Sequence, residues 1–212
     1  MNSQIQEQAI KEQLIARGII HPKVIKAFRE VSRESFLPED KKDQAWHDGP
    51  VAIGHQSTIS QPYVVALMTQ LLGLKGNEKV LEVGTGSGYQ AAILSKLAKK
   101  VYSIDISPEL TAEAKDRLKA LGFANVLLLS GDGSAGYPEA APYDAIIVTA
   151  GSPKIPPPLI AQLKIGGRLV IPVGDELSQT ILVATRRAKD IETHVTESVR
   201  FVPLVGRYAW RT

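Results

Sequence analysis

From Lys79 onward the chain alternates short apolar runs with helical segments, and this alternation restricts its fold more than any other feature. The runs lie at residues 80–83, 101–105, 126–129, 145–148 and 168–173. Helical patterns fall between them: one reaching to about residue 98, one over 108–121 closed by Gly122, and one near 158–163. Apolar runs that are nearly continuous belong to strands buried on both faces, and strand–helix repetition builds a parallel sheet covered by helices. The tail departs from this rhythm. Residues 180–185 and 193–202 read as strands with no helix long enough between them, so they pair antiparallel at one edge.

Ahead of Lys79 the pattern is helical. A first helix covers about residues 4–16 and stops at Gly18. A second follows Pro22 and puts Val24, Ala27, Phe28 and Val31 on one face. Residues 46–54 read as an irregular loop, and a third helix starts after Ser60, takes Pro62 in its first turn and ends at Gly73. The expected fold is therefore an α/β, doubly wound, mostly parallel sheet with an antiparallel C-terminal edge and an N-terminal helical cap. Residues 1–75 supply the cap and a substrate loop, and residues 76–212 the cofactor-binding core, within one domain.

Composition excludes several classes of function. The net charge of +3 is mild, and Lys99-Lys100 and Arg186-Arg187 are too short to form a nucleic-acid stripe. No stretch approaches the roughly 18 apolar residues of a membrane helix. The polar, acidic start at residues 1–7 is not a signal peptide. With no cysteine there are no disulfides, thiolate nucleophiles or Cys-based zinc sites, which fits a cytoplasmic protein. His21, His47, His55 and His194 share no metal-ligand spacing, so no metal and no nucleic-acid or membrane partner is expected.

Gly84, Gly86 and Gly88 follow the first strand and open a helix, where free N–H groups and a tight backbone can hold a ligand. The dinucleotide fingerprint needs Gly-x-Gly-x-x-Gly, but its last position is Tyr89 here. Glu82 precedes the loop, and its carboxylate repels a pyrophosphate while favouring the ammonium and sulfonium of S-adenosylmethionine. Asp105 ends the next strand and can accept ribose hydroxyls, unless it merely caps the helix opened by Ser107-Pro108. Asp132, between Gly131 and Gly133, ends the third strand and offers an acceptor for an adenine amino group. All three strand ends lie on the carboxyl edge, where open α/β sheets bind ligands.

Thr58-Ile59-Ser60-Gln61-Pro62 precedes the third helix. Ser60 fits an N-cap, and a helix start with two hydroxyls also suits a carboxylate. With this segment the chain resembles the protein-L-isoaspartate(D-aspartate) O-methyltransferase family. The resemblance is carried by residues 58–62, 81–89, 131–133, 142–150, 166–174 and 199–205, in family order and over most of the length. It implies a Rossmann-like methyltransferase fold and methyl transfer from S-adenosyl-L-methionine, leaving S-adenosyl-L-homocysteine. The acceptor is the free carboxylate of an L-isoaspartyl or D-aspartyl residue in age-damaged proteins and peptides, and repair proceeds through a succinimide. Carried onto this chain, Ser60 is the catalytic residue that holds the substrate carboxylate. Ile59, Glu82, Gly84, Gly86, Gly88, Asp105, Ile106, Asp132 and Gly133 hold the cofactor, and Thr58, Ser60, Val202 and Leu204 meet the substrate. Two segments depart from the family, Gly54-His55-Gln56-Ser57 and Gly151-Ser152-Pro153-Lys154, and are expected to affect peptide preference.

The chemistry is consistent with the lack of a Ser-His-Asp arrangement. A carboxylate is ionised at neutral pH and a sulfonium is already activated, so neither general base nor acid is required. Alignment and exclusion of water suffice. His55 is an exposed loop histidine near the substrate segment and is given no role. Among rivals, a small-molecule acceptor is disfavoured by Thr58-Ile59-Ser60-Gln61-Pro62, and a nicotinamide oxidoreductase by Tyr89 and Glu82. A non-catalytic binding module differs from all of these in not binding S-adenosylhomocysteine.

Overall fold

Among the described residues proline opens four α-helices, each in a first turn where a missing N–H breaks no helical bond. In the computed structural model, which describes residues 2–211, the chain begins with α1 (Asn2–Ala9). The outer residues of the sequence segments, Met1 and Thr212, lie outside the described residues. The helix runs on through a π turn (Ile10–Leu14) and a 3-10 turn (Ile15–Arg17) to a left-handed Gly18, close to the expected span. Helix α2 (Pro22–Glu30) buries Val24, Ala27 and Phe28 as its periodicity predicts.

The expected loop before Ser60 is instead partly a hairpin, β1 (Val51–Gly54) paired with β2 (Ser57–Ile59). Its two-residue turn, His55-Gln56, has φ of 48° and 54°, the backbone that Asn-Gly normally supplies. Neither residue announces such a turn, which is why the pattern hides it. Helix α3 (Pro62–Leu72) follows and ends at left-handed Gly73 as expected. Its N-cap is Gln61 rather than Ser60, and no side chain caps it.

The sheet contains β3 (Lys79–Val83), β4 (Lys100–Asp105), β5 (Val126–Ser130), β6 (Tyr143–Val148), β7 (Leu163–Gly174), β8 (Gln179–Arg186) and β9 (Ile191–Val199). Their order is β5-β4-β3-β6-β7-β8-β9, with parallel pairing from β5 to β7 and antiparallel pairing at β7–β8 and β8–β9. The α/β class, mostly parallel sheet and antiparallel edge are as expected. Between strands lie α4 (Tyr89–Ser95), α5 (Pro108–Ala120) and α6 (Pro157–Ala161). Helix α6 is shorter than its pattern suggests because Leu163 already belongs to β7, and the final strand ends at Val199, short of residue 202.

Alternation along the strands feeds two cores. Val80, Val101, Ala145, Ile147 and Val170 face the N-terminal helices and α4, while Leu81, Val83, Ile146, Val148 and Leu169 face α6 and the tail. Phe28 and Phe36 meet the edge of the Tyr89 ring, with centroids 6.0 and 5.4 Å away, so the N-terminal segment packs onto the start of α4. No helix among the described residues is long and apolar enough to cross a membrane.

Beyond β9 the chain crosses the carboxyl ends of the strands. Gly151 N–H donates to the Val202 carbonyl (2.8 Å) and Leu204 N–H to the Gly151 carbonyl (2.7 Å). Asp132 fastens this segment: one oxygen accepts the Arg207 N–H (2.8 Å) and the other the Ser134 N–H and hydroxyl (2.9 and 2.6 Å). Partial burial works against the ionised Asp132, but these hydrogen bonds outweigh it and hold its carboxyl below the usual 3.8. A depressed carboxyl stabilises the fold above its unfolded value, and the contribution fades as pH falls through the folded value. Asp132→Ala therefore costs about 1–2 kcal/mol in urea denaturation at pH 7. The difference from the parent shrinks as pH drops below 3.8.

Candidate active site

The sheet order reverses at β3, whose neighbours β4 and β6 come from opposite directions of winding, so a crevice opens at its carboxyl end. The glycine loop lies there. Gly84 has φ of 98°, and a Cβ on it would stand 2.4 Å from the Thr149 hydroxyl at the end of β6. That hydroxyl donates to the Gly84 carbonyl at 2.6 Å, so the loop is bound to β6 at a distance only glycine permits. Gly88 is the left-handed N-cap of α4 and packs against α5 rather than the crevice.

Asp105 closes the loop's other side. One carboxylate oxygen accepts the Gly86 N–H and the other the Ser107 N–H, both at 2.9 Å. The helix cap is Ser107 itself, whose hydroxyl accepts the Leu110 N–H (3.2 Å). Asp105 therefore ties the glycine loop to the start of α5 and lines the cleft, with Ile106 exposed at the rim.

The cleft is open on one side, and the space in it, counted with the solvent at its mouth, is about 940 Å³. Its sheet side carries Gly84, Gly86, Asp105, Ile106, Gly133 and Ala150. The facing side carries Thr58, Ile59 and Ser60, and the tail contributes Val202 through Val205. The structure thus gathers most of the residues singled out in the sequence. Ser60 lies between β2 and α3, half-buried, with its hydroxyl making no hydrogen bond to the protein among the described residues.

Three sequence-based candidates stand elsewhere. Gly88 is turned toward α5, as above. Asp132 does not line the cleft, because its carboxylate is engaged by the tail; Gly133 does line it, where a Cβ would meet Val83 at 2.4 Å. Glu82 lies beneath the loop, fully buried, and neither of its oxygens has a hydrogen-bond partner. The nearest hydroxyl, Ser103, pairs with Thr85 at 2.6 Å. Burial pushes the Glu82 carboxyl up to about 8, the Ser103 hydroxyl offsets part of the rise and Asp105 adds to it. At neutral pH it is therefore largely protonated, and it lies below the loop rather than in the cleft.

Sequence reasoning gave no site role to Thr149, Gln90 and Phe201, which line the cleft: Thr149 and Phe201 lie within segments that carry the family resemblance, whereas Gln90 belongs to no motif. It also missed Arg33, fully buried, whose Nη2 donates to the Ser60 carbonyl at 2.7 Å. Among the described residues no cluster of His, Cys, Asp and Glu has the makings of a metal site. The cleft lining contains no histidine or lysine and offers one carboxylate. It suits positioning of an already reactive pair better than proton transfer.

Comparison with known proteins agrees. Residues 5–209 match the family model described as Protein-L-isoaspartate(D-aspartate) O-methyltransferase (PCMT). The chain is 49% identical over 204 residues to protein-L-isoaspartate O-methyltransferase 1 of Syntrophobacter fumaroxidans, covering 96% of this chain and 95% of that one. It is 48% identical to the protein-L-isoaspartate O-methyltransferase of Syntrophus aciditrophicus, over 99% of each. A solved protein-L-isoaspartate O-methyltransferase superposes with a TM-score of 0.87 at 30% identity, over 99% of this chain and 67% of that one. A Plasmodium falciparum beta-aspartate methyltransferase (PCMT) in complex with S-adenosyl-L-homocysteine superposes with a TM-score of 0.81 at 25% identity, over 96% and 97%. With a glycine loop, a tethered aspartate and a free serine facing one another across a single cleft, this chain belongs to the protein-L-isoaspartate(D-aspartate) O-methyltransferase family.

Proposed function

We propose that Ser60 holds the acceptor carboxylate of an isoaspartyl residue in line with a cofactor bound across the glycine loop. The protein is an S-adenosylmethionine-dependent protein carboxyl O-methyltransferase, and its reaction initiates repair of isoaspartyl residues. The observation that carries the Ser60 role is that Ser60, whose hydroxyl has no hydrogen-bond partner among the described residues, lines the same cleft as the glycine loop.

The residues fit the cofactor. Close approach at Gly84 and Gly86 leaves room for the methionyl part, Asp105 presents carboxylate oxygens to ribose hydroxyls, and Ile106 with Gly133 borders the adenine. S-adenosylmethionine supplies a methyl group on a sulfonium, which an ionised carboxylate attacks without a base. A cationic ligand above the loop favours ionisation of the buried Glu82 carboxyl, which the ligand-free protein holds largely protonated at neutral pH. The apolar side chains of Val64, Met68 and Leu204 exclude water, and Ser60 aligns the nucleophile.

The tail suits an extended peptide. Val202 C=O and Leu204 N–H are taken up by Gly151, whereas Pro203 C=O and Val205 N–H have no partner among the described residues. Substrate backbone therefore pairs at Pro203 and Val205, with Thr58 and Val202 flanking it. The acceptors are age-damaged proteins and peptides rather than nucleic acid or membrane, a reading supported by the scattered charge and a net +3. A cytoplasmic location agrees with the cysteine-free sequence.

Labelled methyl transfer to paired isoaspartyl and aspartyl peptides tests the reading: only the isoaspartyl member is labelled, and equal labelling refutes it. Ser60→Ala lowers kcat/KM about tenfold or more, as loss of a hydrogen bond to a charged group implies, while S-adenosylhomocysteine affinity by calorimetry stays within about twofold. Asp105→Asn weakens that affinity by about 10- to 100-fold.

The raised Glu82 carboxyl has a distinct signature. The unfolded chain loses this proton near 4.5 and the folded one near 8, so stability of the ligand-free protein falls as pH rises between them. Glu82→Gln removes that slope. The variant gains stability over the parent from pH 5 to pH 8 in thermal melts while binding S-adenosylmethionine more weakly.

A further inference from the structure

We infer that Arg33 is the positioning residue that keeps Ser60 in register with the cofactor loop. The inference rests on the Ser60 reading above. Arg33 opens a 3-10 turn (Arg33–Phe36), and its side chain is fully buried. Burying a guanidinium costs several kcal/mol, normally recovered through a carboxylate partner. Among the described residues Arg33 has no ion pair. Its Nε donates to the Ala45 carbonyl and its Nη2 to the Ser60 carbonyl, both at 2.7 Å, and Nη1 has no partner.

A methionine or leucine fills such a space without that desolvation cost, so the fold retains the cation for what it contacts. Ser60 belongs to neither β2 nor α3, and among the described residues no backbone N–H reaches its carbonyl. Arg33 is thus the group that holds the Ser60 carbonyl, which restrains the backbone rotation after its Cα and with it the direction of the Cα–Cβ bond. The guanidinium also lies 5.0 Å from the centroid of the Tyr89 ring. Tyr89 is the first residue of α4 after the glycine loop and lines the cleft. One cation therefore touches the acceptor turn and the helix that begins where the cofactor loop ends. Two diverging donors are needed for Ala45 and Ser60 together, a geometry that arginine supplies and lysine does not.

A double-mutant cycle reads this directly, using Arg33→Lys, Ser60→Ala and the double variant with an isoaspartyl peptide at saturating S-adenosylmethionine. We expect Arg33→Lys to lower kcat/KM tenfold or more, through both kcat and peptide KM. S-adenosylhomocysteine affinity stays within threefold. In the Ser60→Ala background the same change costs less than threefold, because the hydroxyl it orients is gone. Equal losses in both backgrounds mean that Arg33 serves only stability and overturn the inference, as does full activity of Arg33→Lys. If Ser60→Ala itself leaves kcat/KM unchanged, the Ser60 reading fails first and the inference with it. Arg33→Gln, which keeps an amide donor without the charge, provides the same cycle where the lysine variant does not fold.

Discussion

Everything functional in this molecule depends on the splaying of the chain at the carboxyl end of β3. Strand β3 is paired on one side to the strand that follows it and on the other to β6, which the chain reaches only after crossing back. The connections leave in opposite directions, so the backbone cannot cover the crevice between them. The protein reinforces the gap without filling it. Thr149 holds the glycine loop toward β6, and Asp105 holds it toward α5, with hydrogen bonds of 2.6 and 2.9 Å. The loop is stretched between two anchors, its shape set before any ligand arrives.

Charge is distributed around that loop with unusual economy. Asp105 is hydrogen-bonded and reaches the cleft, whereas Glu82 is buried without a partner and does not. The two acids differ because one is solvated by backbone N–H groups, whereas burial holds the other largely protonated at neutral pH. Arg33 is the opposite case, a buried cation held by two carbonyls, one of them that of Ser60, with its third nitrogen unpaired.

Much of this was legible in the sequence. Strand runs and their flanking glycines gave the sheet, and the acid at each strand end pointed to the ligand-binding edge. What pattern could not show was which acids face the ligand. Only Asp105 ends its strand; Glu82 lies one residue inside β3, where it is buried, and Asp132 lies two residues past β5, where the returning tail captures it. The hairpin escaped because His55-Gln56 adopts a turn that its composition does not favour. Ser60 looked like a helix cap by spacing, yet Gln61 takes that place, and the serine is left free. Arg33 lacked any signal, since an arginine between polar residues reads as surface until packing encloses it.

The tail that completes the cleft comes from beyond the last strand of the sheet. It is held there by Gly151 and by Asp132, not by the sheet ladder. Loosening either contact therefore opens that wall of the cleft while the glycine loop keeps both of its own anchors, Thr149 and Asp105.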